Sequence, residues 1–413
     1  MKEKSKAIPL IAWAFYDFAN SAFSAIIETF ILPTYFVKQV ALNETRGTEQ
    51  WGWTLALAGV LIALGGPVLG AIADHHGRGK RWLFSFTLLL ILGTLWMGKI
   101  GPDPYFVPLA LGLFALTTIA SEFAYVFYNA LLPTLAPVET IGRWSGWGWA
   151  AGYLGGILAL LLSLLGFKLI PDQTVAARAS FLLVGIWNLI FCLPIFFFTP
   201  KTPVKKALIP SIRSGFLQLK KSVGFFKTHP DLVRFFVARM LFIDGLITLF
   251  AFGGIFAAKV FGMSEQKVIV FAITLNLSAG IGAILFSFLD DSWGPLKVLK
   301  NSLIALMFFG AFALFAEVET LFWIAGACLG IFVGPCQASS RSYVAKVGPK
   351  ELITELFGFF TFSGKATAFL GPFLVASILS LTGSIRWALS VILLFFLGAY
   401  FLLNRLKESN ERG

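Results

Sequence analysis

Twelve apolar runs dominate the chain, near residues 10–37, 51–73, 82–100, 106–132, 145–167, 179–199, 231–258, 266–289, 297–316, 320–343, 354–380 and 385–404. Each has the roughly 20 residues that a helix needs to cross a hydrocarbon core about 30 Å thick. A backbone inside lipid must satisfy its own hydrogen bonds, which leaves helices or a closed barrel. Barrel strands would be about ten residues of strict alternation, and these runs are apolar throughout. Composition agrees: hydrophobic residues make up 57% and charged residues 13% of the 413, the latter about half the usual share for a soluble domain. The expectation is an all-α membrane protein with twelve transmembrane helices.

The net charge of +12 raises the question of nucleic acid, and the placement of the charges answers it. With both termini inside, 23 of the 33 lysines and arginines fall in inner segments or the run ends beside them and 8 on the outer side in the same sense, while Arg239 and Lys365 lie deeper within runs. That bias is the positive-inside pattern of a protein of the cytoplasmic membrane. The basic excess is therefore topological, and no nucleic-acid partner is expected. The first run, behind the basic start KEKSK, is expected to act as its own insertion signal. Cys192, Cys328 and Cys336 fall within runs and lack metal-ligand or CxxC spacing, so they read as small buried hydrophobes. His75, His76 and His229 lie in inner loops, and there is no Gly-Lys-Ser/Thr phosphate loop or serine nucleophile motif. No enzyme chemistry, cofactor or metal is expected.

The longest inner segment divides the runs six and six, giving an N-terminal half 1–199, a cytoplasmic connecting loop 200–230 and a C-terminal half 231–413. Within the loop, SIRSGFLQLKKSVGFF is partly amphipathic and suited to the membrane surface. The halves echo each other. Asp74, Gly77 and Lys80 in GAIADHHGRGKR share the spacing of Asp291, Gly294 and Lys297 in DSWGPLK. A looser echo pairs WSGWGW (144–149) with LFGFFTF (356–362). Parallel six-helix repeats are the architecture of one large class of secondary transporters.

GAIADHHGRGKR resembles the signature between helices 2 and 3 of the major facilitator superfamily: Gly70, Asp74, Gly77, Arg78, Lys80 and Arg81 match, and Gly79 departs where a basic residue is usual. WAFYDFANSAF, GPVLGAIAD, YNALLPTLAP, GYLGG and QASSRSYVAKVGPKELITELFGFF are similar to the vacuole-effluxer branch, the autophagy-related amino-acid exporters and their prokaryotic relatives. The resemblance implies two pseudo-symmetric six-helix halves, with helices 1, 4, 7 and 10 around a central cavity. It also implies a latch. Asp74 would cap the start of the eleventh helix near Ile353 and Thr354, and Asp291 the start of the fifth near Trp144 and Ser145, since a carboxylate is favourable at a helix N-terminus. Such contacts would exist only while the cytoplasmic side is shut. The plainer alternative is a tight turn with orientation charges.

Polar residues inside lipid-crossing runs are costly and point to an interior or a wet cavity. At 100° per residue, Asp17, Ser21, Ser24 and Glu28 of the first run fall within about 60° of one another, with Asn20 alongside. The fourth run carries Thr118, Glu122, Tyr125 and Asn129; the seventh, Asp244 with Thr248 one turn on and Arg239 on another face; the tenth, Gln337 and Arg341; the eleventh, Lys365. Asp17, Glu122 and Asp244 are candidate proton carriers, because dry surroundings favour a protonated carboxylate. Lys365 and Arg239 would bind a substrate carboxylate or neutralise these acids, and static ion pairing is the alternative for each. Gly148, Gly152 and Gly156 offer a small-residue face for close helix packing. The antiporter signature's Gly-Pro pair reads Ala151-Gly152 here, which counts against proton-coupled antiport. Gly66-Pro67 and Gly371-Pro372 are the candidate bends.

The expectation is a monomeric secondary transporter that moves a small polar or zwitterionic solute through the bilayer by alternating access, with coupled protons. By resemblance the solute is an amino acid. The alternative is an exporter or flippase of lipids or lipophilic drugs, which buried charges of both signs disfavour.

Overall fold

The computed structural model describes residues 2–77, 79–200 and 207–406. Twelve of its helices are long and apolar enough to cross a membrane: α1 (Ala7–Val40), α2 (Glu44–His76), α3 (Gly79–Met97), α4 (Pro104–Leu135), α5 (Val138–Leu169), α6 (Gln173–Phe198), α7 (Pro230–Phe261), α8 (Gln266–Trp293), α9 (Pro295–Phe315), α10 (Glu319–Val347), α11 (Lys350–Thr382) and α12 (Ile385–Asn404). The expected all-α fold is the one the chain adopts. A further helix, Leu208–Thr228, connects α6 to α7. Residues 201–206 of the connecting segment and Arg78 of the signature turn lie outside the described residues.

The chain forms two compact units. One comprises Met1–Ala136, Ala151–Phe216 and Pro349–Gly358; the other comprises Pro137–Ala150, Leu217–Gly348 and Phe359–Gly413. In the first, α1 packs on α6, α3 on α4 and α6, and α2 on α4. In the second, α7 packs on α12, α9 on α10 and α12, and α8 on α10. Adding six to each number turns the first pattern into the second, so the repeat read in two short loops extends to whole helices. Each unit also takes in a short piece from far along the chain, the start of α11 in the first and the start of α5 in the second.

Three helices are irregular, α12 only by a short interruption at Ser390. α1 is α-helical to Phe23, then turns π-helical over Ser24–Phe30 and again over Phe36–Val40. A π turn bonds i to i+5 and holds an extra residue, a device frequent at functional sites. α11 is broken into Ile353–Lys365 and Leu370–Thr382. Pro372 accounts for the break: it has no N–H to donate to the Ala368 carbonyl, and its ring crowds that carbonyl. Gly66-Pro67, by contrast, lies within an unbroken helix from Glu44 to His76. A Cβ on Gly66 would stand 3.0 Å from the Gly358 carbonyl oxygen, so this glycine permits a backbone contact.

Candidate functional site

In the first unit the polar stretch of α1 meets α3, α4 and α5. Trp13 donates its indole N–H to the Tyr128 carbonyl at 2.9 Å and stacks on the Tyr128 ring at a centroid distance of 4.5 Å. Tyr16 lies against the same ring at 4.9 Å and shares a hydrogen bond with Thr87 at 2.8 Å. One turn on, the Asn20 amide donates to the Ser121 hydroxyl at 3.1 Å. Trp13, Tyr16 and Asn20 follow the i, i+3, i+7 spacing of a single helix face, and this face pins α1 to its neighbours. The spacing was present in the sequence, yet the aromatic members went unread beside the charged ones.

Asp17 is buried, as is Asn129 on α4, while Glu122 and Tyr125 are half-buried. Tyr125 meets Tyr128 edge-on at 5.6 Å. Ser21 faces α5, where a Cβ on Gly152 would come within 2.7 Å of its hydroxyl. Gly155 lies closer still to the Phe18 carbonyl, so the glycine face of α5 receives α1 backbone on backbone. Ser24 and Glu28, the last members of the expected stripe, lie within the π turn over Ser24–Phe30, and both are half-buried.

The Asp74 carboxylate accepts from the backbone N–H of Thr354 at 3.2 Å and of Glu355 at 2.8 Å, one oxygen to each. These amides open α11 and have no partner within their own helix, so the carboxylate supplies both the bonds and the favourable charge. Gly70, one turn earlier, lets the backbones meet: a Cβ there would stand 2.7 Å from the Glu355 Cα and overlap the Thr354 carbonyl. Gly77 ends α2 at φ 77°, a conformation that favours glycine. Lys80 donates to the Thr199 carbonyl just past α6, and Arg81 is exposed. In Asp74→Asn, only one oxygen remains for two amides, and hydrogen exchange at Thr354 and Glu355 is expected to accelerate at least about ten-fold. Unchanged protection would remove Asp74 as the cap.

The second unit repeats the arrangement with the parts redistributed. Asp291 accepts from the Arg143 backbone N–H at 3.1 Å and pairs with the Arg143 guanidinium at 3.5 Å, one residue before the expected Trp144 and Ser145. Gly294 ends α8 at φ 88° and matches Gly77, while Lys297 is exposed. Here the glycines sit on α5: a Cβ on Gly146 would come within 2.5 Å of the Ser287 Cβ, and one on Gly142 within 2.5 Å of the Asp290 carboxyl carbon. Asp290 went unread beside Asp291. Its carboxylate accepts from the Ser342 hydroxyl at 2.6 Å and pairs with Lys346 at 3.1 Å, with both side chains of the ion pair almost fully buried. Ser342 and Lys346, four apart on α10, were the legible sign of that partner face.

The remaining polar residues serve several faces. Arg341 is buried and donates to the Ser145 hydroxyl at 3.0 Å and the Ser145 carbonyl at 2.7 Å, which ties α10 to the start of α5. Gln337, one turn earlier, is half-buried. Arg239 donates to the Phe360 carbonyl and the Ser363 hydroxyl and lies over the Phe360 ring. Asp244 is buried on α7, and Lys365 is the half-buried last residue before the break in α11.

These helices, their six-fold-shifted pairings and the carboxylate-capped helix starts are those of a transporter of the major facilitator superfamily. Among solved structures, the chain resembles the superfamily transporter FucP with a TM-score of 0.78 at 13% identity, covering 98% of this chain and 100% of that one. It resembles the proton:xylose symporter XylE with a TM-score of 0.75 at 15% identity, covering 100% and 98%. The chain belongs to the vacuole effluxer Atg22-like family, whose model matches residues 53–412. It is 26% identical to the uncharacterized MFS-type transporter YxiO of Bacillus subtilis (strain 168) over 95% of this chain and 93% of that protein. It is 25% identical to autophagy-related protein 22 of Cryptococcus neoformans (strain JEC21) over 66% of this chain and 51% of that longer protein.

Proposed function

We propose that the chain moves small zwitterionic solutes, namely amino acids, across the cytoplasmic membrane by alternating access, as a monomer with both termini cytoplasmic. The observation that carries this reading is the buried polar face of α1, where Asp17 lies beside an Asn20–Ser121 hydrogen bond within an otherwise apolar helix. Polar groups held there are costly, and such residues commonly mark a transport pathway; the solute class rests on the resemblance to the autophagy-related amino-acid exporters, with which membership of an effluxer family is consistent. Asp17, Asn20, Ser21, Glu122, Tyr125 and Asn129 form the first unit's share of that pathway, and Asp244, Gln337, Arg341 and Lys365 the second unit's. The carboxylates among them carry the coupling cation, for which the proton is the first candidate. The Asp74 and Asp291 caps act as latches, formed while the cytoplasmic side is shut and released as it opens.

A melting-temperature screen of the purified chain against amino acids, short peptides, sugars, nucleosides and lysophospholipids tests the solute class. A ligand that binds only the folded state, at 100 times its dissociation constant, adds about 2.7 kcal/mol. Neutral amino acids are expected to raise the melting temperature of the native chain and to lose that effect in Asp17→Asn. Stabilisation by lipids alone would sink the proposal.

A further inference from the structure

We infer that Asp244 and Thr367, at the break in α11, form a binding site for a monovalent metal cation, of which sodium is the best fit. Asp244 is 1% exposed, and among the described residues neither of its carboxylate oxygens has a hydrogen-bond partner. The Thr367 side chain meets this carboxylate from the break, but its hydroxyl makes no regular hydrogen bond there. Two buried oxygen groups thus converge in a contact too loose to satisfy either. A carboxylate left alone in such surroundings is costly, so a proton or a metal cation must neutralise it.

The geometry favours the metal. The turn from Asp244 to Thr248 packs directly on α11 just past its break: a Cβ on Gly371 would overlap the Thr248 hydroxyl and stand 3.2 Å from the Asp244 carbonyl oxygen. The Ala368 carbonyl has no amide four residues on, because Pro372 occupies that position. The first segment of α11 ends at Lys365, and the C-terminal ends and unwound carbonyls of broken membrane helices are where coupling cations are held. A proton would neutralise Asp244 and leave the other oxygens unused. A cation with oxygen preference engages the carboxylate, the hydroxyl and the freed carbonyl together. One carboxylate balances a single positive charge. Arg239, the basic residue nearest to Asp244 along the same helix, is engaged with Phe360 and Ser363.

The site deepens the coupling proposed above, and its occupancy can be read without transport. The test is the melting temperature of the purified full chain at fixed pH and ionic strength, with sodium chloride exchanged for choline chloride. Sodium is expected to raise it saturably. Asp244→Asn abolishes the response, and Thr367→Val raises the half-saturating concentration by about ten-fold or more. Equilibrium binding of radioactive sodium gives one ion per chain in the native protein and none in Asp244→Asn, which covers the case of a variant with an altered baseline. A flat titration, or an unchanged sodium response in Asp244→Asn, overturns the site. Stabilisation by acid with no sodium dependence assigns Asp244 a proton and overturns it equally. A sodium response beside a failed amino-acid screen would keep the site and remove the solute.

Discussion

Lys346→Ala is expected to destabilise the chain by about 3–5 kcal/mol, the range for removing one partner of a buried ion pair. The Lys346 and Asp290 side chains are 6% and 2% exposed, and the bond between them measures 3.1 Å. Without the ammonium, the Asp290 carboxylate keeps the Ser342 hydroxyl at 2.6 Å but no opposite charge. The loss measures the stranded carboxylate, so the double variant Lys346→Met with Asp290→Asn should recover most of it. The control is the neighbouring pair. Arg143 is 39% exposed where it meets Asp291, and a solvent-screened pair is worth about 0–1 kcal/mol. Reversible unfolding in detergent reads all three. A Lys346→Ala loss no larger than that of Arg143→Ala would show that the buried pair is not a strut of the second unit.

Gly70→Val should rank next. Overpacking a well-packed site costs about 1–3 kcal/mol when side chains can give way. Here the obstacles are backbone, the Thr354 carbonyl and the Glu355 Cα, so the cost belongs at the top of that range or above it. The Asp74 cap must also lengthen, and the opening amides of α11 lose protection along with overall stability. Gly59 lies on the same helix with nothing within 4 Å of a Cβ, and Gly59→Val supplies the control for helix propensity. Equal melting temperatures for the two variants would mean that the start of α11 does not rest on Gly70.

These two sites show how far the sequence could be read. The twelve helices were legible because lipid imposes length and polarity on every crossing. The Asp74 cap was legible because a carboxylate four residues after one glycine and three before another leaves few geometries, and its partner fell within a residue of the expectation. The mirrored site was legible only in outline. Spacing selected Asp291, while the buried pairing belongs to Asp290, whose partners lie more than fifty residues away on α10. The small residues that permit the close approach moved from α2 in one unit to α5 in the other, and no local pattern marks such an exchange. The π turns of α1 were likewise unreadable, since nothing in SAIIETF departs from helical periodicity. They put Ser24 and Glu28 in a segment with more residues per turn than the 3.6 that gave the expected stripe. Arg341 was read as lining the pathway from its position on α10, and its bonds to Ser145 could appear only once α5 and α10 were folded together.

Transport itself is the most direct test. The purified chain, reconstituted into vesicles with an imposed proton gradient and then with a sodium gradient, should accumulate or release a radiolabelled neutral amino acid faster than protein-free vesicles. Unlabelled amino acid should compete, and Asp17→Asn should abolish the gradient-driven component. Gradient-independent leakage equal to that of empty vesicles for every amino acid, from protein that remains folded, would contradict the proposed function.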